Sequence, residues 1–181
     1  METNNPLDHE VPKYSDYAGF WLRFIASLVD GVVLIIANLL IVKPLLFLFG
    51  INYPVFQSHQ QEVIQLLREN PNPSVTELFE TALGMSMADY FIIVIVSGIL
   101  RWLYFAIMES SPKQATLGKM SLRLQVTDME GNRITFMRAT GRHFGKVIST
   151  LILFVGFIMA AFTEKKQALH DMMANCLVYR K

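Results

Sequence analysis

One apolar stretch, residues 20–42, places this chain among membrane proteins, and it carries a carboxylate near its middle. At about 1.5 Å per residue, a helix of this length covers roughly 35 Å, enough to cross a hydrocarbon core about 30 Å thick. A carboxylate in the middle of such a helix costs about 2.5–3.5 kcal/mol when it faces lipid. We therefore expect a transmembrane helix whose Asp30 faces other protein or water.

Two further apolar segments follow, and only one of them has an unambiguous length. Residues 87–108 predict a second transmembrane helix, which contains Arg101 and ends at Glu109. Residues 144–163 are barely long enough to span. They either cross the membrane or re-enter it as two half-helices that turn back at Gly156. We favour re-entry, because it keeps the basic C-terminal residues on the side of the other basic segment.

The segment between the second and third apolar segments has the pattern of a β-hairpin. Within residues 113–137, apolar Leu122, Leu124 and Val126 alternate with polar residues, which is the period of a strand. A turn at 129–132 is followed by a predicted return strand at 133–136. The segment should lie at a membrane surface, and a strand near Cys176–Tyr179 can join it as a third strand.

The polar segments set the predicted topology. Residues 1–16 are expected to be a flexible tail, and residues 51–84 an extracytoplasmic helical insertion that starts its second helix at Ser74. Residues 110–181 hold eleven of the sixteen Lys and Arg residues, whereas 51–84 has four acids and one Arg. The positive-inside rule then places the N-terminus and the 164–181 tail in the cytoplasm. The predicted fold is an all-α membrane protein with two transmembrane helices, a third apolar helical segment and a small cytoplasmic β-hairpin.

The order of these features resembles the RDD family, which is named for one arginine and two aspartates. The matching residues are Arg23 and Asp30 in the first helix and Asp171 in the Leu-His-Asp sequence near the C-terminus. The turn at 114–119 and the hairpin sequence also fit, so the resemblance covers about residues 17–181. It implies a small integral membrane protein, mostly of bacteria, of poorly defined function, for which transport has been suggested. A bacterial inner membrane is the expected location.

Charged residues in the apolar segments are the candidate functional residues. Asp30 is either a carrier of protons or cations or one half of a structural ion pair, because a carboxylate in low dielectric can exchange a proton. Arg23 should contact Asp171 at the cytoplasmic rim. Asp30 and Arg101 should lie at one depth in antiparallel helices and pair with each other. His170 is either a proton shuttle with Asp171 or an interface residue.

The remaining candidates lie around the turn after the second helix. Thr116, Gly118 and Lys119 look like the end of a phosphate loop, but the preceding glycines and strand are missing, so phosphate binding is not expected. Basic residues from Lys113 to Lys146 can hold anionic lipid headgroups, although topology alone also explains them. We find no nucleophile–base pair, nucleotide motif or metal-ligand spacing. We therefore expect no enzyme activity, no cofactor, no metal and no nucleic-acid partner.

Two classes of function remain open from the sequence. One is a small transporter or cation/proton exchanger that works through Asp30. It would be a homo-oligomer, because two or three helices enclose no pathway alone. The other is a non-transporting membrane scaffold or accessory subunit that binds a partner through its hairpin.

Overall fold

The computed structural model describes residues 17–51, 59–152 and 155–180, and these residues are mostly helical with one small antiparallel sheet. The predicted fold class is confirmed. Within these described residues, two helices are long and apolar enough to cross a membrane, and a bent pair of helices makes a third candidate. The predicted tail at 1–16 lies outside the described residues. The chain forms two compact units, one of residues up to Leu34 and from Arg101 onward, the other of Ile35–Leu100.

The first span is longer than the sequence predicts. It runs over 29 residues, through α1 (Phe20–Ala37), a π-helical turn (Asn38–Val42) and α2 (Lys43–Leu48). Pro44 has no N–H to donate, and its ring would clash with a carbonyl of the preceding α-helical turn. The wider π-helical turn comes directly before it, so the helix is disturbed at this point but does not end.

The second unit holds the predicted insertion. Helices α3 (Gln60–Glu69) and α4 (Val75–Leu83) lie within it, and residues 52–58 are outside the described part of the chain. The Ser74 hydroxyl accepts a hydrogen bond from the Glu77 N–H at 3.1 Å, and the Glu77 carboxylate accepts one from the Ser74 N–H at 2.7 Å. This is the capping box that the sequence predicts at the start of α4. Helix α5 (Met87–Glu109) follows.

The sheet pairs different strands from those expected. Strand β1 (Leu124–Asp128) pairs antiparallel with β2 (Cys176–Arg180), so the C-terminal strand is its principal partner. The predicted return strand at 133–136 contributes only one bridge, from Arg133 to Thr127. The Thr135 hydroxyl instead accepts a hydrogen bond from the Arg138 N–H and caps a helix that begins at Phe136. The predicted hairpin is therefore corrected: the sheet consists of β1 and the C-terminal strand β2.

The third apolar segment begins earlier than predicted and folds back. Helix α7 (Phe136–Leu151) is followed by α8 (Val155–Ile158) and a 3-10 turn (Met159–Ala161), with a bend of 117° between the two parts. The break precedes Gly156 rather than centring on it. A Cβ on Gly156 would lie 2.6 Å from Ser149 Oγ, so the glycine permits close packing of α8 against α7. The doubled-back shape fits a broken span or a re-entrant loop.

The core of the first unit joins the sheet to both membrane helices. Its buried residues include Ala26 of α1, Ala106 of α5, Val126 of β1 and Val178 of β2. The chain before α1 also reaches the sheet, because the Ala18 N–H donates to the Val178 carbonyl at 2.8 Å. Two short helices, α6 (Leu117–Ser121) and α9 (Leu169–Met173), precede β1 and β2. They carry most of the candidate residues outside the spans.

Candidate functional site

Asp30 is held by three neutral hydrogen-bond donors. The Tyr104 hydroxyl donates to Oδ1 at 2.7 Å, and the Gly118 N–H donates to the same oxygen at 2.8 Å. The Thr116 hydroxyl donates to Oδ2 at 2.6 Å. Asp30 is only 1% exposed, so these bonds replace water at the carboxylate. We call Asp30, Tyr104, Thr116 and Gly118 the carboxylate cage.

The cage depends on a close approach between α6 and α1. A Cβ on Gly118 would lie 2.0 Å from the Ala26 carbonyl oxygen and 2.9 Å from Asp30 Cγ. Only glycine lets the α6 backbone come near enough for its N–H to reach Asp30. The Thr116 hydroxyl also accepts from the Lys119 N–H at 3.4 Å, which caps α6. The segment at 116–119 is therefore an intramolecular clamp on a carboxylate.

Arg101 is not the partner of Asp30, and this prediction is wrong. Its side chain is exposed, and its guanidinium carbon lies 5.9 Å from the centre of the Phe105 ring. Among the described residues, no cation lies within ion-pair distance of Asp30. Equal depth in two antiparallel helices predicts a charged partner from α5 and leaves out neutral donors and the short helix α6. Hydroxyl and backbone donors from α5 and α6 occupy the carboxylate instead.

A second cluster is centred on Arg142 of α7, which is 1% exposed. Its Nη1 donates to Glu109 at 2.9 Å, and its Nε donates to Asp171 at 2.7 Å. Nη2 also lies 2.7 Å from the same Asp171 oxygen. The guanidinium thus bridges a carboxylate at the end of α5 and a carboxylate of α9. Two carboxylates on one buried guanidinium satisfy a charge that would otherwise be expensive to bury.

Each carboxylate of this cluster has further partners. Glu109 accepts a hydrogen bond from Lys119 Nζ and lies 3.5 Å from Lys146 Nζ. Lys146 Nζ also lies 4.1 Å from the centre of the Phe105 ring, an arrangement typical of a cation–π contact. Asp171 accepts from the Ala168 N–H at 3.1 Å. The cluster therefore joins α5, α6, α7 and α9.

Arg23 connects this cluster to α1. Its Nη1 donates to Asp171, which is the contact predicted from the sequence. Its other donors bind main-chain carbonyls, Nε that of Ala18 and Nη2 that of Lys166, both at 2.7 Å. We call the buried cluster of Arg23, Glu109, Lys119, Arg142, Lys146 and Asp171 the charge network.

The charge network contains more cations than carboxylates, and this affects its titration. Burial alone would raise the pKa of Asp171, but Arg142 and Arg23 hold the pKa of this carboxyl well below its ordinary value. Burial lowers the pKa of Lys119 to about 7, against the opposing effect of Glu109. Burial likewise lowers the pKa of His170 to about 3, although the negative charge of Asp171 acts to raise it. His170 therefore stays neutral in the folded protein at physiological pH.

Comparison with known proteins gives a family. The model of the RDD family matches residues 17–175. The chain belongs to the RDD family. It is 34% identical over 164 residues to Uncharacterized protein YxaI of Bacillus subtilis (strain 168), an alignment that covers 91% of this chain and 97% of that protein. It is 28% identical over 176 residues to Uncharacterized membrane protein YteJ of the same organism, covering 91% of this chain and 85% of that one. No solved structure matches the chain.

The three residues that the resemblance predicts as the signature, Arg23, Asp30 and Asp171, fall in both parts of the site. Arg23 and Asp171 contact each other in the charge network, whereas Asp30 lies in the carboxylate cage. In the described part of the chain, no group of three or more His, Cys, Asp or Glu side chains is placed to hold a metal ion. The site of this RDD protein is thus built from ion pairs and hydrogen bonds.

Three contributors to the site are not predicted from the sequence. Nothing in the sequence pattern of the second span marks Tyr104 as a partner of Asp30. Arg142 and Lys146 fall among the basic residues predicted near lipid headgroups, because the third apolar segment is predicted to start later than α7 does. A helix from Phe136 places Arg142 on one face with the small residues Ala139, Gly145 and Ser149, all of which are buried. A lone arginine among small residues at that spacing was the available signal.

We expect Gly118→Ala to lower the stability of this RDD protein by about 1–3 kcal/mol, a range typical of overpacking. The new methyl group would meet the α1 backbone at Ala26 and push the Gly118 N–H away from Asp30. Gly31→Ala is the matched control, since no atom lies within 4 Å of the position of its Cβ. Thermal unfolding in detergent measures both variants. Equal midpoints for the two would contradict the close approach of α6 to α1.

The buried neutral His170 predicts a loss of stability in mild acid. Between pH 6.5 and about 3 the unfolded chain binds a proton at this histidine and the folded protein does not. Stability should therefore fall as the pH falls below 6.5, by about 1.4 kcal/mol per pH unit. Asp171, whose pKa is lowered from 3.8, adds its own loss only below that value. Unfolding measured from pH 7 to pH 4.5 should show a steeper decline for the native protein than for His170→Gln. Parallel declines would show that His170 does not carry this dependence.

Proposed function

We propose that this RDD protein is a proton-coupled transporter or exchanger of the bacterial cell membrane, with Asp30 as the residue that takes up and releases the proton. The observation that supports this most directly is the carboxylate cage. Asp30 lies in a membrane-spanning helix and is buried, yet its described partners are hydroxyl groups and a backbone N–H rather than cations. An intramembrane carboxylate without a fixed countercharge is typical of a proton relay.

The cage favours a proton over a metal cation as the species that Asp30 binds. The Gly118 N–H points at Oδ1, and a backbone N–H cannot act as a ligand for a cation. The Thr116 hydroxyl can serve either as donor or as acceptor. When Asp30 Oδ2 is protonated, the Thr116 hydroxyl rotates and accepts that proton's hydrogen bond across the same 2.6 Å separation. The hydrogen bond between Asp30 and Thr116 is thereby kept in both protonation states.

Helix α6 supplies a route from Asp30 to the rest of the first unit. Thr116 and Gly118 bind Asp30, and Lys119 of the same short helix binds Glu109. Glu109 in turn binds Arg142. If a change in the protonation of Asp30 alters its hydrogen bonds to α6, the position of α6 changes, and with it the contact between Lys119 and Glu109 in the charge network. We propose that this coupling accompanies movement of the transported species, and that no covalent catalysis is involved.

The transport pathway requires more than one copy of the chain. Two or three membrane-spanning segments do not enclose a pore, so we propose a homo-oligomer. The bilayer is the surrounding partner, and no nucleic-acid partner is proposed.

Asp30→Asn should abolish proton flux while leaving the protein folded. The amide has nearly the shape of the carboxylate but cannot take up and release the proton. The native chain and the variant are reconstituted in liposomes with trapped pyranine, and internal pH is followed after a Na⁺ or K⁺ gradient is imposed. Glu130→Gln, which changes an exposed carboxylate in the turn after β1, is the matched control and should retain flux. Equal flux in native protein and Asp30→Asn, or no flux in the native protein, would overturn the proposal.

The same assay separates the role of Thr116 from simple packing. Thr116→Ser keeps a hydroxyl that can exchange donor and acceptor roles, and it should retain flux. Thr116→Val keeps the shape of the side chain but removes the hydroxyl, and it should reduce flux. Equal retention of flux by both variants would remove Thr116 from the proposed proton step.

The alternative is a non-transporting scaffold that binds a partner through the sheet. Both strands already carry additional bridges, from Tyr17 to Tyr179 and from Thr127 to Arg133, which reduces the edge open to strand addition. The scaffold would be favoured by copurification of one stoichiometric partner together with absence of flux in the liposome assay.

We propose that both termini lie in the cytoplasm and that the α7–α8 segment is re-entrant. The distribution of basic residues and the bend of 117° support this topology. In a Cys176→Ser background, a cysteine at position 181 should resist an impermeant thiol reagent applied to intact cells. A cysteine at Glu69, which is exposed in the 51–84 insertion, is the positive control and should react. Labelling of position 181 from outside would overturn the topology.

A further inference from the structure

A groove beside the end of the second span is lined by cations that the charge network does not use. It has a volume of about 540 Å³ and lies between the chain after α5, at Pro112 and Lys113, and the junction of α6 with β1, at Met120 and Arg123. Lys113 and Arg123 are exposed. In the described part of the chain, no carboxylate lies within ion-pair distance of either. The residues lining the groove include no acid.

The walls of the groove are fixed to the sheet. The Val126 N–H donates to the Gln114 carbonyl at 2.8 Å, and the Gln114 side-chain amide donates to the Val126 carbonyl at 3.3 Å. Ala115 and Leu124 are both 1% exposed and form an apolar floor. The groove is therefore preformed, with charged groups at its rim and an apolar base.

Arg123 has a backbone conformation that glycine would adopt without strain. Its φ is +56°, in the left-handed region that favours glycine, and Gln114, Lys166 and Asn175 share this conformation. A non-glycine residue held in this conformation costs free energy that the fold would avoid by having glycine there. An Arg123→Gly substitution can therefore remove the charge without straining the backbone.

We propose that this groove binds the phosphate headgroup of an anionic phospholipid, with Lys113 and Arg123 as the phosphate ligands. Position identifies the lipid as the source of the phosphate. Lys113 follows the last residue of the α5 span by four positions, which places it at headgroup level. The apolar floor can contact the glycerol region of a lipid, whereas a free inorganic anion has no apolar part to place there. This site does not involve Asp30 and goes beyond the proposed proton step.

The test measures retention of phosphatidylglycerol and phosphatidylcholine by the delipidated full-length protein, using native mass spectrometry. Native protein should retain phosphatidylglycerol in preference. Lys113→Gln and Arg123→Gln should each weaken that retention about fivefold, and the double variant about thirtyfold, as about 1 kcal/mol per charge implies. Lys165→Gln, which neutralises an exposed cation between α8 and α9, is the matched control and should leave retention unchanged.

Arg123→Gly distinguishes binding from folding. Glycine removes the charge and suits the backbone conformation, so the variant should unfold at the same temperature as native protein or higher while it loses phosphatidylglycerol. Equal loss of retention in Lys165→Gln, or equal retention of both lipids by native protein, would overturn the site. Binding of glycerol 3-phosphate with the affinity of the intact lipid would overturn the assignment to lipid.

Discussion

The buried guanidinium of Arg142 is the group on which the arrangement of the first unit depends. A charge that is 1% exposed must be compensated, and Glu109 and Asp171 both bind it directly. Removing either carboxylate would leave a buried charge with half its compensation, a change that typically costs several kcal/mol. The requirement brings together the end of α5, the middle of α7 and the start of α9, which are far apart in the sequence.

The contacts extend from Arg142 in both directions and return to one helix. On one side, Asp171 binds Arg23 of α1. On the other, Glu109 binds Lys119 of α6, and α6 binds Asp30 of α1 through Thr116 and Gly118. Because Arg23 and Asp30 lie two helical turns apart, α1 is attached at two points. The two charged residues of α1 thus hold the helix to different parts of the unit without contacting each other.

The parts of the fold with a long periodic pattern could be predicted from the sequence. The two spans and the capping box at Ser74 are local features, and hydrophobicity or a four-residue motif reveals them. The contact of Arg23 with Asp171 could also be predicted, because the positions of the two charges relative to the membrane left few partners. Charge placement and periodicity are thus sufficient to predict a structural feature where one interaction determines it.

The predictions that were wrong concern short elements and places where two backbones approach closely. Helix α6 has five residues, too few to show a helical period, so nothing indicated that it would place donors on Asp30. The shared depth of Asp30 and Arg101 predicts an ion pair, but neutral donors bind Asp30 instead. The partner of β1 was misassigned because the residues after the turn also suit the start of a helix, and the Thr135 cap decides between them. Tertiary contacts determine such choices.

Among the described residues of the first unit, three carboxylates are buried: Asp30, Glu109 and Asp171. They differ in whether protonation would leave a buried cation uncompensated. Protonating Glu109 or Asp171 would remove one of the two charges that compensate Arg142, and it would also weaken the hold on Lys119 or Arg23. Protonating Asp30 leaves no such cation uncompensated, since its described partners are the hydroxyls of Tyr104 and Thr116 and one backbone N–H. The charge network therefore suits a fixed structural role, whereas the carboxylate cage surrounds Asp30 with neutral hydrogen-bond donors only.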